Sequence, residues 1–160
     1  MSELKIRGYV KHWQTDENGN VVPGTVKEDH NAITDSLRNY LAQVIGAEVL
    51  GKAVDTLFTS QDLGLDDGGD GIAWGQTNGD VSGKMVTTKN AGGTGNEAYI
   101  EFYGTVQASG AAITIGPYLL LGTDYSSVAY ALGTVYATYA INETVPDGRT
   151  YHFYWKITIS

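Results

Sequence analysis

The stretch Tyr151-His152-Phe153-Tyr154-Trp155-Lys156-Ile157-Thr158-Ile159 alternates with period two from end to end. Its odd positions carry Tyr151, Phe153, Trp155, Ile157 and Ile159, while the even row from Thr150 to Ser160 carries His152, Tyr154, Lys156 and Thr158. Successive side chains of a strand point to opposite faces, so the odd set reads as core and the even set as the wetter face. Each large apolar or aromatic group in the odd row contributes about 1.5–3 kcal/mol when buried. Such a strand needs partners, and the rest of the chain is read as the sheet that receives it.

A length of 160 residues fits a single domain, 1–160, large enough to bury a core without staples. There is no cysteine, which removes disulfides, thiolate chemistry and cysteine-type zinc sites. Glycine (21) and tyrosine (11) are abundant and only 18% of residues are charged, a composition of short strands joined by tight turns. The net charge of −8 argues against nucleic acid as the main partner, because phosphate binding needs a basic footprint. No apolar run reaches membrane-spanning length, and residues 1–13 lack the apolar segment of a secretory signal. The expectation is a protein made in a cytoplasm, with no membrane partner.

Working back from the final strand, Leu4, Ile6 and Val10 alternate with Lys5, Arg7 and Lys11, which predicts a strand with a basic outer row. Asn18-Gly19 is a hairpin signal, and a return strand over Val21–Val26 would complete an N-terminal ribbon over residues 1–27, with Pro23 holding part of it to an edge. A helical segment is expected over residues 31–58. Its main helix runs from about Ile33 to Ile45, because Ile33, Leu37, Leu41, Val44 and Ile45 share one stripe, and a shorter helix lies between Glu48 and Phe58. Residues 59–83 form an Asp- and Gly-rich loop with Ile72 and Trp74 as apolar anchors. Over 84–160 strands resume at Met85–Thr88, Tyr99–Val106, Ala112–Leu121, broken by Gly116-Pro117, and Ser127–Ile141. Asn90–Asn96 reads as a glycine-rich turn, and Pro146-Asp147-Gly148 turns the chain into its last strand. This order predicts a mainly β fold: an antiparallel, jelly-roll-like β-sandwich with one helix and an N-terminal β-ribbon.

Asp62, Asp66, Asp67 and Asp70 could offer oxygen ligands to calcium. Counting Asp66 as position 1 of an EF-hand loop puts Thr77, not Glu, at position 12, and a solvated turn-rich loop is the simpler account. His30 precedes the expected helix, where capping explains it, and His12 and His152 read as outward-facing strand residues. Scattered in this way, the three give no ligand spacing for a metal. There is no G-x-S-x-G elbow, Glu97, Glu101 and Glu143 have no spacing that pairs them, and Ala91-Gly92-Gly93-Thr94-Gly95 lacks the Lys-Ser/Thr of a phosphate loop. Asn142-Glu143-Thr144 matches a glycosylation site by chance in a chain read as not secreted. No cofactor is called for, and no enzyme is expected. Tyrosine is more plentiful than one core needs, and it serves either to cover sheet surfaces or to anchor interfaces. The candidates for an interface are Lys5, Arg7, Tyr9, Lys11, Trp13, Tyr103, Tyr136 and Tyr154.

Three short motifs occur in order: His30-Asn31-Ala32-Ile33-Thr34, Asp70-Gly71-Ile72 and Trp155-Lys156-Ile157-Thr158-Ile159. In this order the chain resembles a class of small virion proteins of tailed bacteriophages, which carry an N-terminal ribbon, a helix entry and a closing aromatic strand. The resemblance implies a β-sandwich working in copies within a particle, either decorating the capsid or serving as a tail or fibre adaptor. Its partners would be other virion proteins and itself, and it implies no catalytic residues. The alternative is a carbohydrate- or ligand-binding β-sandwich, with a tyrosine or Trp74 as stacking platform and the Asp-rich loop holding calcium.

Overall fold

Thr150–Ile159 forms a ten-residue strand that is hydrogen-bonded along its whole length on both sides. The computed structural model describes residues 5–30, 32–33, 71–76, 81–94, 97–123 and 134–159. Among them the strands are β1 (Ile6–Thr15), β2 (Lys27–His30), β3 (Ala32–Ile33), β4 (Gly71–Gly75), β5 (Val81–Lys84), β6 (Val86–Thr94), β7 (Glu97–Gln107), β8 (Ile113–Ile115), β9 (Tyr118–Thr123), β10 (Thr134–Ala140), β11 (Glu143–Val145) and β12 (Thr150–Ile159). The fold is mainly β and antiparallel, as the alternation required.

One five-stranded sheet has the order β2-β1-β12-β7-β6, a second has the order β3-β10-β9-β4-β5, and β8 pairs with β11. The pairing is antiparallel throughout. Both large sheets feed one core. From the first come Val10, Ile100, Phe102, Tyr151, Phe153, Trp155, Ile157 and Ile159, and from the second Ile72, Leu119, Leu121 and Ala137. The odd residues of β12 are all buried, and the even ones are only half-buried, so the alternation read from the sequence holds.

Between β5 and β6 the chain passes from one sheet to the other at Met85, whose N–H donates to the Ile72 carbonyl (3.0 Å). Gly104 on β7 makes room for this crossing. A Cβ there would lie 2.9 Å from Met85 Sδ and 3.2 Å from Ile72 Cδ1, so a side chain at this inward position would press on both and make them shift.

Several expectations need correction. β1 is longer than half of a ribbon and pairs with β12 at every residue. The Asn18-Gly19 turn forms, with Asp16 Oδ1 accepting from the N–H groups of Asn18 (2.9 Å) and Asn20 (3.0 Å), and Gly19 at φ +80°. Pairing does return at Val21, in a single bridge to Thr15, but the return strand itself is β2, beginning at Lys27. A second turn at Pro23-Gly24 delays it, closed by Thr25 N–H to the Val22 carbonyl (3.2 Å). No helix occurs among the described residues. The helix expected from about Ile33 starts on a residue that instead pairs with Ala137 in β3–β10, and its remainder lies outside the described residues, as does the helix from Glu48 to Phe58. Asn90–Thr94 is strand and not turn, because β6 stays paired with β7 through Gly92 and Gly93 to Thr94, while Gly95 and Asn96 lie outside the described residues. Tyr99 lies over Gly92, with its hydroxyl 2.7 Å from where a Cβ would stand, so the cross-strand ring supplies the packing that glycine lacks. β4 (Gly71–Gly75) and most of β5 (Val81–Lys84) are strand inside the stretch 59–83 expected as loop, and β11 was not foreseen either. The turn at Pro146-Asp147-Gly148 was: Arg149 N–H reaches the Pro146 carbonyl (3.1 Å) and Gly148 has φ +87°.

The two faces of β12 differ in what a truncation costs. Trp155→Ala is expected to lose about 3–5 kcal/mol in urea unfolding, whereas Thr158→Ala should lose less than about 1 kcal/mol. Equal losses at the two positions would contradict the facing.

Candidate functional site: the outer face of the first sheet

The outward residues of β1, β12, β7 and β6 fall into rows fixed by strand register. Trp13, His152, Thr105 and Val86 lie side by side, then Lys11, Tyr154, Tyr103 and Thr88, then Tyr9, Lys156, Glu101 and Asn90, then Arg7, Thr158, Tyr99 and Gly92. Directly opposed side chains on one sheet face are within contact distance, and here they form a continuous layer of rings and cations. Trp13 and His152 stack with centroids 5.1 Å apart and planes 2° from parallel. Tyr9 meets Tyr154 edge-on at 6.2 Å. Lys156 Nζ stands 4.7 Å from the Tyr99 ring centroid and Lys11 Nζ stands 5.9 Å from that of Trp13, both within cation–π range.

His152 is the polar centre of the layer. Its Nε2 meets the Thr15 hydroxyl at 2.8 Å and its Nδ1 is bonded to the Tyr103 hydroxyl. A neutral imidazole donates through one nitrogen and accepts through the other, so both bonds are satisfied without a charge. Burial lowers the pKa of His152 and raises that of Tyr103, which keeps both groups neutral near pH 7. With both ring nitrogens engaged, His152 serves to hold the layer in place. Tyr154 is likewise held protonated, first by burial and then by its hydrogen bond to Glu101.

Of the interface candidates, Arg7, Tyr9, Lys11, Trp13, Tyr103 and Tyr154 share this face, with Lys5 exposed just before β1. Tyr136 does not join them, since it lies on β10 of the other sheet, at the register shift between Val135 and Ala137. Glu101 is on the layer, but Glu143 is in the interior and Glu97 lies at the far end of β7, so the structure does not bring the three carboxylates together. Trp74 packs against the core, and its indole covers Gly83 so closely that a Cβ there would be 2.1 Å from Cζ2. Asp62, Asp66, Asp67 and Asp70 lie outside the described residues. Among the described residues no group of three or more His, Asp or Glu side chains is placed to hold a metal, and no helix is long and apolar enough to cross a membrane.

A second polar cluster, on the inward side of β1, went unread. His12 was expected to face outward but is 2% exposed, because it shares the even, inward row with Val10 and Gln14. That parity was available in the sequence. His12 stacks on Phe153 (5.6 Å, 26°), and its two ring nitrogens have no hydrogen-bond partner among the described residues. Beside it Gln14 Nε2 donates to Glu143 Oε1 (2.7 Å) and to the Thr144 carbonyl (3.0 Å), while Arg149 Nη1 donates to Gln14 Oε1 (3.2 Å). Lys27 Nζ is 3.5 Å from Glu143 Oε2, so the nearly buried carboxylate is balanced from two sides. Burial lowers the pKa of His12, and the nearby Glu143 only partly offsets that.

In comparisons with protein families, curated proteins and solved structures, nothing matches this chain.

The histidines set a pH dependence. A lowered folded-state pKa means that the folded protein binds fewer protons than the unfolded chain just below the ordinary histidine value of 6.5. Stability is therefore complete above that value and falls as pH drops through it toward the folded-state pKa. Urea midpoints measured at pH 7.5 and pH 5.5 should show the loss. His12→Phe, which keeps a ring and removes the titrating group, should reduce it and leave the share due to His152. An unchanged pH dependence in that variant would show that His12 is not buried as a neutral ring.

Proposed function

We propose that the chain is a structural subunit of a tailed-bacteriophage particle, built as a jelly-roll-like β-sandwich and acting through surface contacts without turnover of its own. A role as a capsid-decorating protein is the first reading, and a tail or fibre adaptor is the second form of the same idea. The observation that carries the proposal is the outer layer of the first sheet. It concentrates Trp13, Tyr9, Tyr99, Tyr103 and Tyr154 on one flat face together with Arg7, Lys11 and Lys156. Tyrosine, tryptophan and arginine are the residues that most often dominate binding energy at protein interfaces. The rings are already braced against one another, so little side-chain freedom would be lost on docking.

The charge of the face indicates the partner. The chain carries −8 overall, yet this layer and its approach hold Lys5, Arg7, Lys11 and Lys156 against Glu101, with Glu28 bound to Lys11 at 3.7 Å. An acidic protein surface, such as that of a particle lattice, fits it. The motifs around His30, Asp70 and Trp155 support the same assignment. The two sheets with their shared core support the sandwich. The carbohydrate alternative gains nothing from Trp74, the tryptophan it would use, since that indole packs on Gly83 and against the core.

Purified particles should contain the protein by mass spectrometry, and the isolated chain should co-sediment with particles that lack it. Replacing Lys5 and Arg7 together by Glu should weaken that co-sedimentation by about tenfold or more with an unchanged urea midpoint. Particles without the protein, or undiminished binding by the variant, would refute the assignment or the face respectively.

A further inference from the structure

The two edges of the first sheet are built differently. β2 is short and reads Lys27-Glu28-Asp29-His30, every residue exposed. Charge on a short edge strand discourages the addition of another strand. β6, at the opposite edge, is nine residues long and reads Val86-Thr87-Thr88-Lys89-Asn90-Ala91-Gly92-Gly93-Thr94, with one charge and no proline. Its residues pair with β7 along their full length, and among the described residues no strand pairs with the other edge. Val86, at its start, is 76% exposed.

We propose that β6 pairs antiparallel with β6 of a second copy about a two-fold axis, joining the two first sheets into one. This rests on the reading of the chain as an assembly subunit and names the contact between copies. Antiparallel pairing of identical strands is self-complementary, which a two-fold interface requires. Full overlap of Val86–Thr94 with itself places the axis at Asn90. Val86 then stands opposite Thr94, Thr87 opposite Gly93, Thr88 opposite Gly92, and Lys89 opposite Ala91. The two Lys89 positions are set diagonally across the axis rather than directly opposed, while Asn90 meets Asn90 and two amides can exchange hydrogen bonds. This register also keeps the outward positions Val86, Thr88, Asn90 and Gly92 on one side of the joined sheet. The aromatic layers of both copies therefore face the same way, which doubles the docking face.

The absence of cysteine from the chain makes the test direct. Opposed residues of an antiparallel pair lie about 4.5–5.5 Å apart at Cα, within disulfide range. Asn90→Cys should give a disulfide-linked dimer under mild oxidation, whereas Val86→Cys, displaced from the axis, should not. Asn90→Lys places like charges face to face and should raise the dimer dissociation constant in analytical ultracentrifugation by about tenfold or more. A wild-type chain that stays monomeric at high concentration, crosslinking of Val86→Cys as fast as Asn90→Cys, or full amide-exchange protection of β6 in a dilute monomer would each overturn the pairing. The last result would mean that β6 is covered by another part of its own chain. Particle co-sedimentation of Asn90→Lys separates the two ideas. If the variant is monomeric but still binds, the particle role stands alone, and if the dimer is intact but binds nothing, the pairing survives and the particle role fails.

Discussion

The position of β12 between β1 and β7 is the constraint on which the rest depends. It exchanges hydrogen bonds with both neighbours along its whole length, and Tyr151, Phe153, Trp155, Ile157 and Ile159 each show no exposure at all. A strand fixed on two edges and one face leaves its neighbours little choice of register. A slip by one residue would turn every one of those side chains out of the core. The inward rows of β1 and β7 follow from this, as does the layer of rings on the outer side, since the register that aligns Val10 with Trp155 and Phe102 also aligns Lys11 with Tyr154 and Tyr103.

The same strand thus separates two environments that treat histidine differently. His152, on the outer side, has both nitrogens bonded and is held by its neighbours. His12, on the inner side and one strand away, is enclosed by Phe153, Tyr139 and Tyr151 and left without a hydrogen bond among the described residues. The interior tolerates this because the ring stays neutral and the charges beside it belong to the Lys27–Glu143–Gln14–Arg149 chain, whose members satisfy one another. The outer layer leaves its rings and cations partly exposed, whereas the inner cluster ties β1, β2, β11 and the start of β12 together.

Local chemistry was legible in the sequence and distant pairing was not. The alternation of residues 150–159 and the turns at Asn18-Gly19 and Pro146-Asp147-Gly148 depend on near neighbours, and they were readable. That β1 closes against β12, or that β5 and β6 belong to different sheets, depends on partners far away in sequence and leaves no periodic mark. Asn90–Thr94 reads as a turn because of its glycines, when Tyr99 across the strand pair supplies the side-chain contact that Gly92 lacks. The apolar residues from Ile33 onward fit a helix, yet Ile33 finds a strand partner in Ala137. Most of the outer face was found because it follows from parity. The inner cluster is hidden from a reading by polarity, and only their places in the inward rows of β1 and β11 give away His12, Gln14 and Glu143.

The crossing at Met85 and the order of strands in the first sheet also govern how the molecule is made. β1 is the earliest strand and β12 the latest, yet they are immediate neighbours, and β7 waits on the other side of β12. During synthesis β1 emerges with one flank open and keeps it open until the final strand has left the ribosome. β6 and β7 can meet at once as a hairpin, but they cannot join β1 without the strand that belongs between them. The pairing of β1 with β12 can form only once that strand emerges, and it is a far-separated, non-local contact of the kind that slows folding. Until that moment Val10 and the inward row of β1 have no second flank to shelter against. The nascent chain is then exposed to other copies of itself, the stage most open to misassembly.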